Sequence, residues 1–278
     1  MTDVQGRIAF ITGGGNGIGL GIARALARAG ASVALADIDS EALARARAEL
    51  EPISSVATYD FDVRDRDAFA AAADAAEKEL GPVSLLVNNA GVAGAFPADK
   101  LTYALWDWAI GTNLGGVING IRTFLPRMSE RGEGGHIVNT ASGAGLAGTS
   151  SGVLYCTAKF GVVGLSESMG PELAASGIGV TLLCPGPVNT DIVERSARAA
   201  PLEGLELTEE EERQRLERIA SVKAALSEAV SPDEVGEMVL SAILEDRFYV
   251  HTDRIMAERV AARTQAILDA APSVGIAA

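Results

Sequence analysis

The sequence predicts an α/β protein built on a doubly wound parallel sheet, with helices on both faces making three layers, αβα. Three observations carry this reading. Short aliphatic runs alternate with longer Ala-rich stretches of helical length through the first half of the chain, the phrase of serial βαβ units. The runs lack polar alternation, as strands buried on both faces do. A glycine-rich turn joins the first run directly to the first helical stretch, where the chain must reverse tightly.

Taken in order, strands are predicted over 8–12, 32–37, 56–61, 83–88, 136–140 and 179–184, and the first crossover helices over 18–29, 41–50 and 66–80. After Thr190 the pattern changes, and residues of about 190–229 contain no strand signal. Thr208 with Glu211 three positions on fits a capping box, and Leu216, Ile219 and Leu226 then fall on one helical face, so a helical lid insertion is expected. Ser231-Pro232-Asp233-Glu234 starts another helix: Ser caps, Pro suits the first helical position and Glu reaches back. A short strand over 248–251 and a tail over about 252–278, helical from about 254 to 270, complete the chain. No linker divides it, so 1–278 reads as one domain.

The 278 residues carry 23 Lys and Arg against 37 Asp and Glu, a formal net charge of −14. Nucleic acid and an anionic membrane surface would be repelled, which excludes both as partners. Cys156 and Cys184 are too few for a disulfide framework and read as small core residues, and the start Met1-Thr2-Asp3 lacks a signal peptide, so a reduced, cytoplasmic setting is expected. No metal is implied, since His136 and His251 stand far apart with no ligand motif and read as structural.

The turn Thr12-Gly13-Gly14-Gly15-Asn16-Gly17-Ile18-Gly19 lets backbone approach a pyrophosphate whose charge the following helix N-terminus stabilises. No Gly-Lys-Ser/Thr follows, which excludes a nucleotidase-type phosphate loop. Asp37 ends the second predicted strand about twenty positions after the last glycine, the spacing of an acid that bonds an adenosine ribose. Because Ile38 and not Arg follows it, NAD is expected over NADP. Asn88-Asn89-Ala90-Gly91 follows the fourth strand and Ser142 the fifth. Tyr155 and Lys159, four apart, share one helical face, where an ammonium beside a phenol favours its ionised form.

In this combination the chain resembles the short-chain dehydrogenase/reductase family, in its branch with T-G-x-x-x-G-x-G, N-N-A-G and Y-x-x-x-K. The likeness runs over 7–189 and includes Asp62-Val63, Asn113 and Pro185-Gly186-Pro187-Val188-Asn189-Thr190. It implies a Rossmann-like fold, with Tyr155 as catalytic acid or base and Ser142 orienting the substrate oxygen. Lys159 is then expected to hold the nicotinamide ribose and lower the tyrosine pKa, and Asn113 to interrupt its helix and hold a relay water. The resemblance also puts Gly13, Asn16, Gly17, Ile18 and Gly19 at the pyrophosphate, Asp62 and Val63 at adenine, and Asn89, with Ala90 and Gly91, near the ribose. Pro185 and Gly186 lead to Val188 and Thr190 at the carboxamide. The 106–120 stretch and the tail resemble a bacterial subgroup that includes dehydrogenases for benzylic secondary alcohols.

Around the expected pocket stand Val92, Ala93, Phe96, Gly143, Leu146, Leu154, Pro187 and Ile192, which favour a small apolar alcohol or ketone, aromatic in one version. Tyr103, Trp106 and Trp108 read as packing or an interface. The resulting expectation is NAD-dependent hydride transfer. Three alternatives stand beside it: a catalytically silent NAD-binding regulatory or scaffold protein, an NADP-dependent carbonyl reductase, and an isomerase or dehydratase on the same cofactor. A homodimer is expected, with a tetramer as the alternative, because the final strand departs from the family's usual ending and the tail carries its own apolar stripe.

Overall fold

A computed structural model describes residues 2–272. Seven parallel strands form one sheet in the order β3-β2-β1-β4-β5-β6-β7. They are β1 (Ile8–Thr12), β2 (Ser32–Asp37), β3 (Val56–Asp60), β4 (Val83–Asn88), β5 (Gly135–Thr140), β6 (Ile178–Cys184) and β7 (Tyr249–His251). The helices are α1 (Gly17–Arg28), α2 (Ser40–Leu50), α3 (Arg66–Leu80), α4 (Tyr103–Ile110), α5 (Gly116–Arg131), α6 (Val153–Leu173), α7 (Ile192–Ala199), α8 (Glu209–Ser227), α9 (Pro232–Glu245) and α10 (Ala257–Asp269). The doubly wound fold is therefore as expected, and element ends differ from the sequence reading by a residue or so except in the tail. There the helix starts three residues late, at Ala257, after a turn in which Asp253 accepts from the Ile255 N–H at 2.8 Å.

The absence of polar alternation has a direct cause. Along β1, Ala9 and Ile11 enter the core beneath α1 and α9, while Ile8 and Phe10 enter the core beneath α3 and α5. Phe10 packs on Phe124 and Phe69 with ring centroids 4.8 and 5.8 Å away. Burying such a side chain on each face contributes roughly 1.5–3 kcal/mol, which fixes the register of every central strand. A buried polar chain ties β4, β5 and α6 together: Asn88 donates to Asn139 at 2.9 Å, and Asn139 donates to Ser166 at 3.0 Å. Cys184 is buried, but Cys156 is half-exposed beside Thr149, so only one of the two is a core residue. His136 is fully buried and bonded to the Thr181 hydroxyl at 2.8 Å, and burial brings its pKa down to about 4. His251 is exposed on the edge strand.

The order reverses between β1 and β4, whose following connections run to opposite sides and leave a crevice at their carboxyl ends. Thr12 pins the crevice floor, its hydroxyl accepting from the N–H groups of Asn89 and Ala90 at 2.9 and 3.1 Å. Over the crevice lies the excursion between β6 and α9. Its two ends meet: Val188 pairs with Val230, and the Asn189 N–H donates to the Val230 carbonyl at 2.9 Å. The capping box of Thr208 and Glu211 starts α8 as expected. Leu216 departs from its expected place; it is 53% exposed, because α8 turns only a narrow edge, with Ile219 and Leu226, toward the crevice.

Candidate active site

A cavity of about 810 Å³ opens at the carboxyl ends of β1 to β6 beneath α7 and α8. At one end the backbone after β1 turns under three constraints of space. A Cβ on Gly13 would stand 2.9 Å from the Ala90 Cα, and one on Gly19 would stand 2.1 Å from the Gly13 carbonyl oxygen. Gly17 has φ +51°, a left-handed conformation suited to glycine. Asn16 precedes α1 without capping it, and its buried Nδ2 has no partner among the described residues. A free donor beside the open first turn of a helix suits an anionic phosphate, so the residues present fit the diphosphate of a dinucleotide. Gly19 does not face the cavity. It is there to let α1 pack against the turn.

Asp37 stands at the end of β2, 6% exposed, and accepts from the N–H groups of Gly15 and Asp39 at 3.1 and 3.2 Å. These bonds fix the carboxylate at the cavity wall. Asp62 lines the cavity after β3; burial alone would raise its pKa, but hydrogen bonds from Arg64 hold it below the ordinary carboxylate range. Val63 stands beside it, packed under Gly116. Asn89 is pinned by donating to the Thr12 carbonyl at 3.2 Å. Ala90, Gly91, Pro185, Gly186, Val188 and Thr190 all line the same cavity, as do Asn16, Gly17 and Ile18.

At the other end, Tyr155 and Lys159 rise from the first turns of α6, one helical turn apart, facing Ser142 after β5. The Lys159 ammonium lies 5.7 Å from the Tyr155 ring centroid and donates to the Thr140 carbonyl at 2.8 Å. Burial pulls the Lys159 pKa down to about 8. Burial also raises the phenol of Tyr155, and hydrogen bonding with Ser142 opposes that rise. The lowering thus comes from Ser142 and not, as expected, from Lys159, and desolvation outweighs it in the protein alone. The Ser142 hydroxyl is oriented by accepting from the Ala144 N–H at 3.1 Å and lies 3.4 Å from the Pro185 carbonyl.

Asn113 does interrupt its helix. It sits in a π turn, Gly111–Gly115, between α4 and α5, a local widening that recurs at functional sites. It is fully buried behind the cavity wall; its amide donates to the carbonyls of Val92 and Ala109, each at 3.0 Å, and accepts from the Val92 N–H at 3.0 Å. The side chain therefore braces the 91–96 loop.

Of the apolar lining expected from sequence, Val92, Ala93, Phe96, Gly143, Pro187 and Ile192 face the cavity. Leu146 and Leu154 do not: the first packs under α6 and the second is buried against Leu105 and Trp108. The aromatic grouping near 103–108 also divides, since Tyr103 is 88% exposed while Trp108 lines the cavity. Three contributors were not read from sequence. Met256, after β7, reaches over Gly143, where a Cβ would stand 2.6 Å from its Cγ. Ser196 of α7 accepts from the Ala93 N–H at 2.8 Å, and Arg195 reaches Asp37 at 3.3 Å. No local motif marks such residues, because distant chain segments bring them in.

A family model described as short chain dehydrogenase matches residues 7–200. The C alpha-dehydrogenase of Sphingobium sp. (strain NBRC 103272 / SYK-6) is 36% identical over 203 residues, 73% of this chain and 65% of that protein. The D-threitol dehydrogenase of Mycolicibacterium smegmatis is 41% identical over 122 residues, 44% of this chain and 46% of that protein. The chain thus aligns with less than two thirds of the length of these relatives. Among solved structures, a short chain dehydrogenase/reductase from Burkholderia phymatum in complex with NAD superposes with a TM-score of 0.89 at 34% identity, covering 100% of both chains. The apo form of LigO from Sphingobium sp. strain SYK-6 gives 0.81 at 38% identity, covering 97% of this chain and 90% of that one. With a family match over residues 7–200 and a fold shared from end to end, the chain belongs to the short chain dehydrogenase family.

Proposed function

We propose that the protein is an NAD-dependent oxidoreductase that moves hydride between NAD(H) and an apolar secondary alcohol or its ketone, with Tyr155 as general acid/base. One observation carries this reading: a single cavity holds Tyr155, Ser142 and Lys159 on one wall and the glycine turn with Asp37 at its far end. The residues from Gly13 to Ile18 hold the diphosphate, Asp37 the adenosine ribose, Asp62 and Val63 the adenine, Asn89 to Gly91 and Lys159 the second ribose, and Pro185 to Thr190 the carboxamide. When bound, NAD supplies the hydride acceptor and a positive charge.

Ser142 donates to the substrate oxygen and fixes it against the phenol. Tyr155 takes the hydroxyl proton as the alcohol is oxidised and returns it in reduction, which a phenol of ordinary pKa near 10 does poorly unless positive charge favours its ionised form. Lys159, held by Thr140, keeps its charge beside the phenol at neutral pH. Asn113, in its π turn, serves the site from behind by bracing the 91–96 loop that forms part of the chamber wall.

Phe96, Trp108, Ile192, Val193, Ile255 and Met256 make the chamber over Tyr155 largely apolar. The two aromatic rings in the chamber wall, Phe96 and Trp108, favour an alcohol that carries an aromatic ring. The test is a panel of aromatic and aliphatic secondary alcohols with NAD and with NADP, followed by absorbance of the reduced nicotinamide. Turnover of an aromatic secondary alcohol with NAD is expected. No turnover of any alcohol or ketone in either direction would overturn the reading.

A further inference from the structure

Arg195 and Ser196 are neighbours on α7, yet they reach opposite walls of the cavity. Ser196, 3% exposed, accepts from the Ala93 N–H beyond β4. The Arg195 guanidinium reaches Asp37 at 3.3 Å and Asp39 at 3.7 Å beyond β2. Of the other cations around the cavity, Arg64 binds Asp62 at 2.6 Å, Arg215 binds Glu212 at 2.7 Å, Lys159 donates to Thr140, and Arg218 of α8 lines the wall without reaching Asp37. Arg195 is the cation in contact with the carboxylate assigned to the adenosine ribose. Its two contacts are long and its side chain is 37% exposed, so it can turn without moving α7, which Ser196 holds from the other side.

We propose that Arg195 decides how this site treats the 2′ position of the adenosine ribose. The inference rests on the reading that Asp37 faces that ribose. Opposite a 2′-hydroxyl, the guanidinium stays with Asp37 and Asp39, and the carboxylate accepts from the sugar. Opposite a 2′-phosphate, Asp37 and Asp39 repel, and Arg195 turns to the phosphate, to which a guanidinium can donate two parallel hydrogen bonds. The discrimination against NADP that Asp37 alone would impose is thereby softened. The cation comes from the lid, not from the residues after β2, where cofactor preference was read in the sequence.

The test is titration calorimetry of 5′-AMP and 2′,5′-ADP against the full-length chain, with kcat/KM for NAD and NADP measured alongside. The variants are Arg195→Ala, Arg195→Lys, Asp37→Asn and the Asp37→Asn/Arg195→Ala double substitution. Arg195→Ala is expected to weaken 2′,5′-ADP at least tenfold more than 5′-AMP, and Arg195→Lys to recover part of that loss. Asp37→Asn should shift the balance toward 2′,5′-ADP only where Arg195 is present. Equal losses of both ligands in Arg195→Ala, or no loss of either, would overturn the inference, and if Asp37→Asn still shifts the balance then Arg195 alone has been misassigned. Asp37→Asn without effect on either ligand would instead overturn the ribose reading beneath it.

Discussion

Lys159 is a buried ammonium whose pKa falls from 10.5 to about 8, so its charge burdens the folded protein at neutral pH. From about pH 8 to 10.5 the unfolded chain holds more protons at this residue than the folded one, and stability therefore rises with pH across that window. The difference in unfolding free energy between wild type and Lys159→Met should shift in favour of wild type by about 1–3 kcal/mol between pH 7 and 10, read by urea unfolding. A constant difference would show that the ammonium is not desolvated. Tyr155→Phe keeps the ring and loses the proton-transfer group, so turnover should fall at least 10³-fold while calorimetry finds NAD affinity within about threefold. Activity within tenfold of wild type would remove Tyr155 as acid/base. Tyr155, Lys159 and Asp37 were legible because each belongs to a local pattern whose spacing a helix or strand end converts into geometry. Arg195 was not, being 158 positions from Asp37, and Trp108 was hidden among three aromatics of which one faces solvent and one the cavity.

At the scale of elements, α1 and α9 pack backbone to backbone on one face of the sheet. A Cβ on Gly21 would stand 2.0 Å from the Pro232 carbonyl oxygen, and one on Gly236 would stand 2.2 Å from the Gly21 carbonyl oxygen. Both obstacles are backbone, so the helices must part to admit a methyl group. Gly236→Ala should therefore lower stability by about 1–3 kcal/mol in urea unfolding, despite the better helix propensity of Ala. An unchanged midpoint would mean that the helices cross with slack. The capping boxes at Thr208 and Ser231 were readable, because a side chain that answers the backbone three residues away is a local interaction. The fold class was readable from uninterrupted apolar runs for a related reason: burial on both faces leaves no room for alternation. The π turn at Asn113 carries no propensity signal of its own; beside the local bond to Ala109, its side chain makes two hydrogen bonds to Val92 that exist only once the 91–96 loop is in place.

For the molecule as a whole, local stability is uneven. α8 contains no buried residue, whereas α1 buries seven of its twelve. Amides of α8 should exchange with solvent faster than those of α1, and on the proposed reading NAD with substrate should slow them at least tenfold by filling the cavity beneath α7 and α8. Equal protection with and without ligands would show that the segment does not close. The tail behaves differently. Arg263 of α10 lies over the Phe160 ring of α6 in the same chain at 5.2 Å, while Ile267 and Leu268 remain 53% and 62% exposed. An apolar edge of this kind is open to cover by a second copy. Light scattering is expected to give a dimer for the intact chain and for a truncation after Asp253; a tetramer that falls to a dimer on truncation would show that α10 bridges subunits.

The meeting of Val188 with Val230 bears on how this protein can change. Chain leaves the sheet region and returns to it at one point, so the span between is a closed excursion whose length the register of β6 and β7 does not sense. Loop-closure entropy grows only slowly with length, by about 0.6 kcal/mol for each doubling. The roof of the chamber can therefore grow, shrink or be rewritten while the floor, with its glycine turn and its tyrosine, stays as it is. Diversification of substrate and retention of the chemical step are separable here because the chain is cinched at the neck.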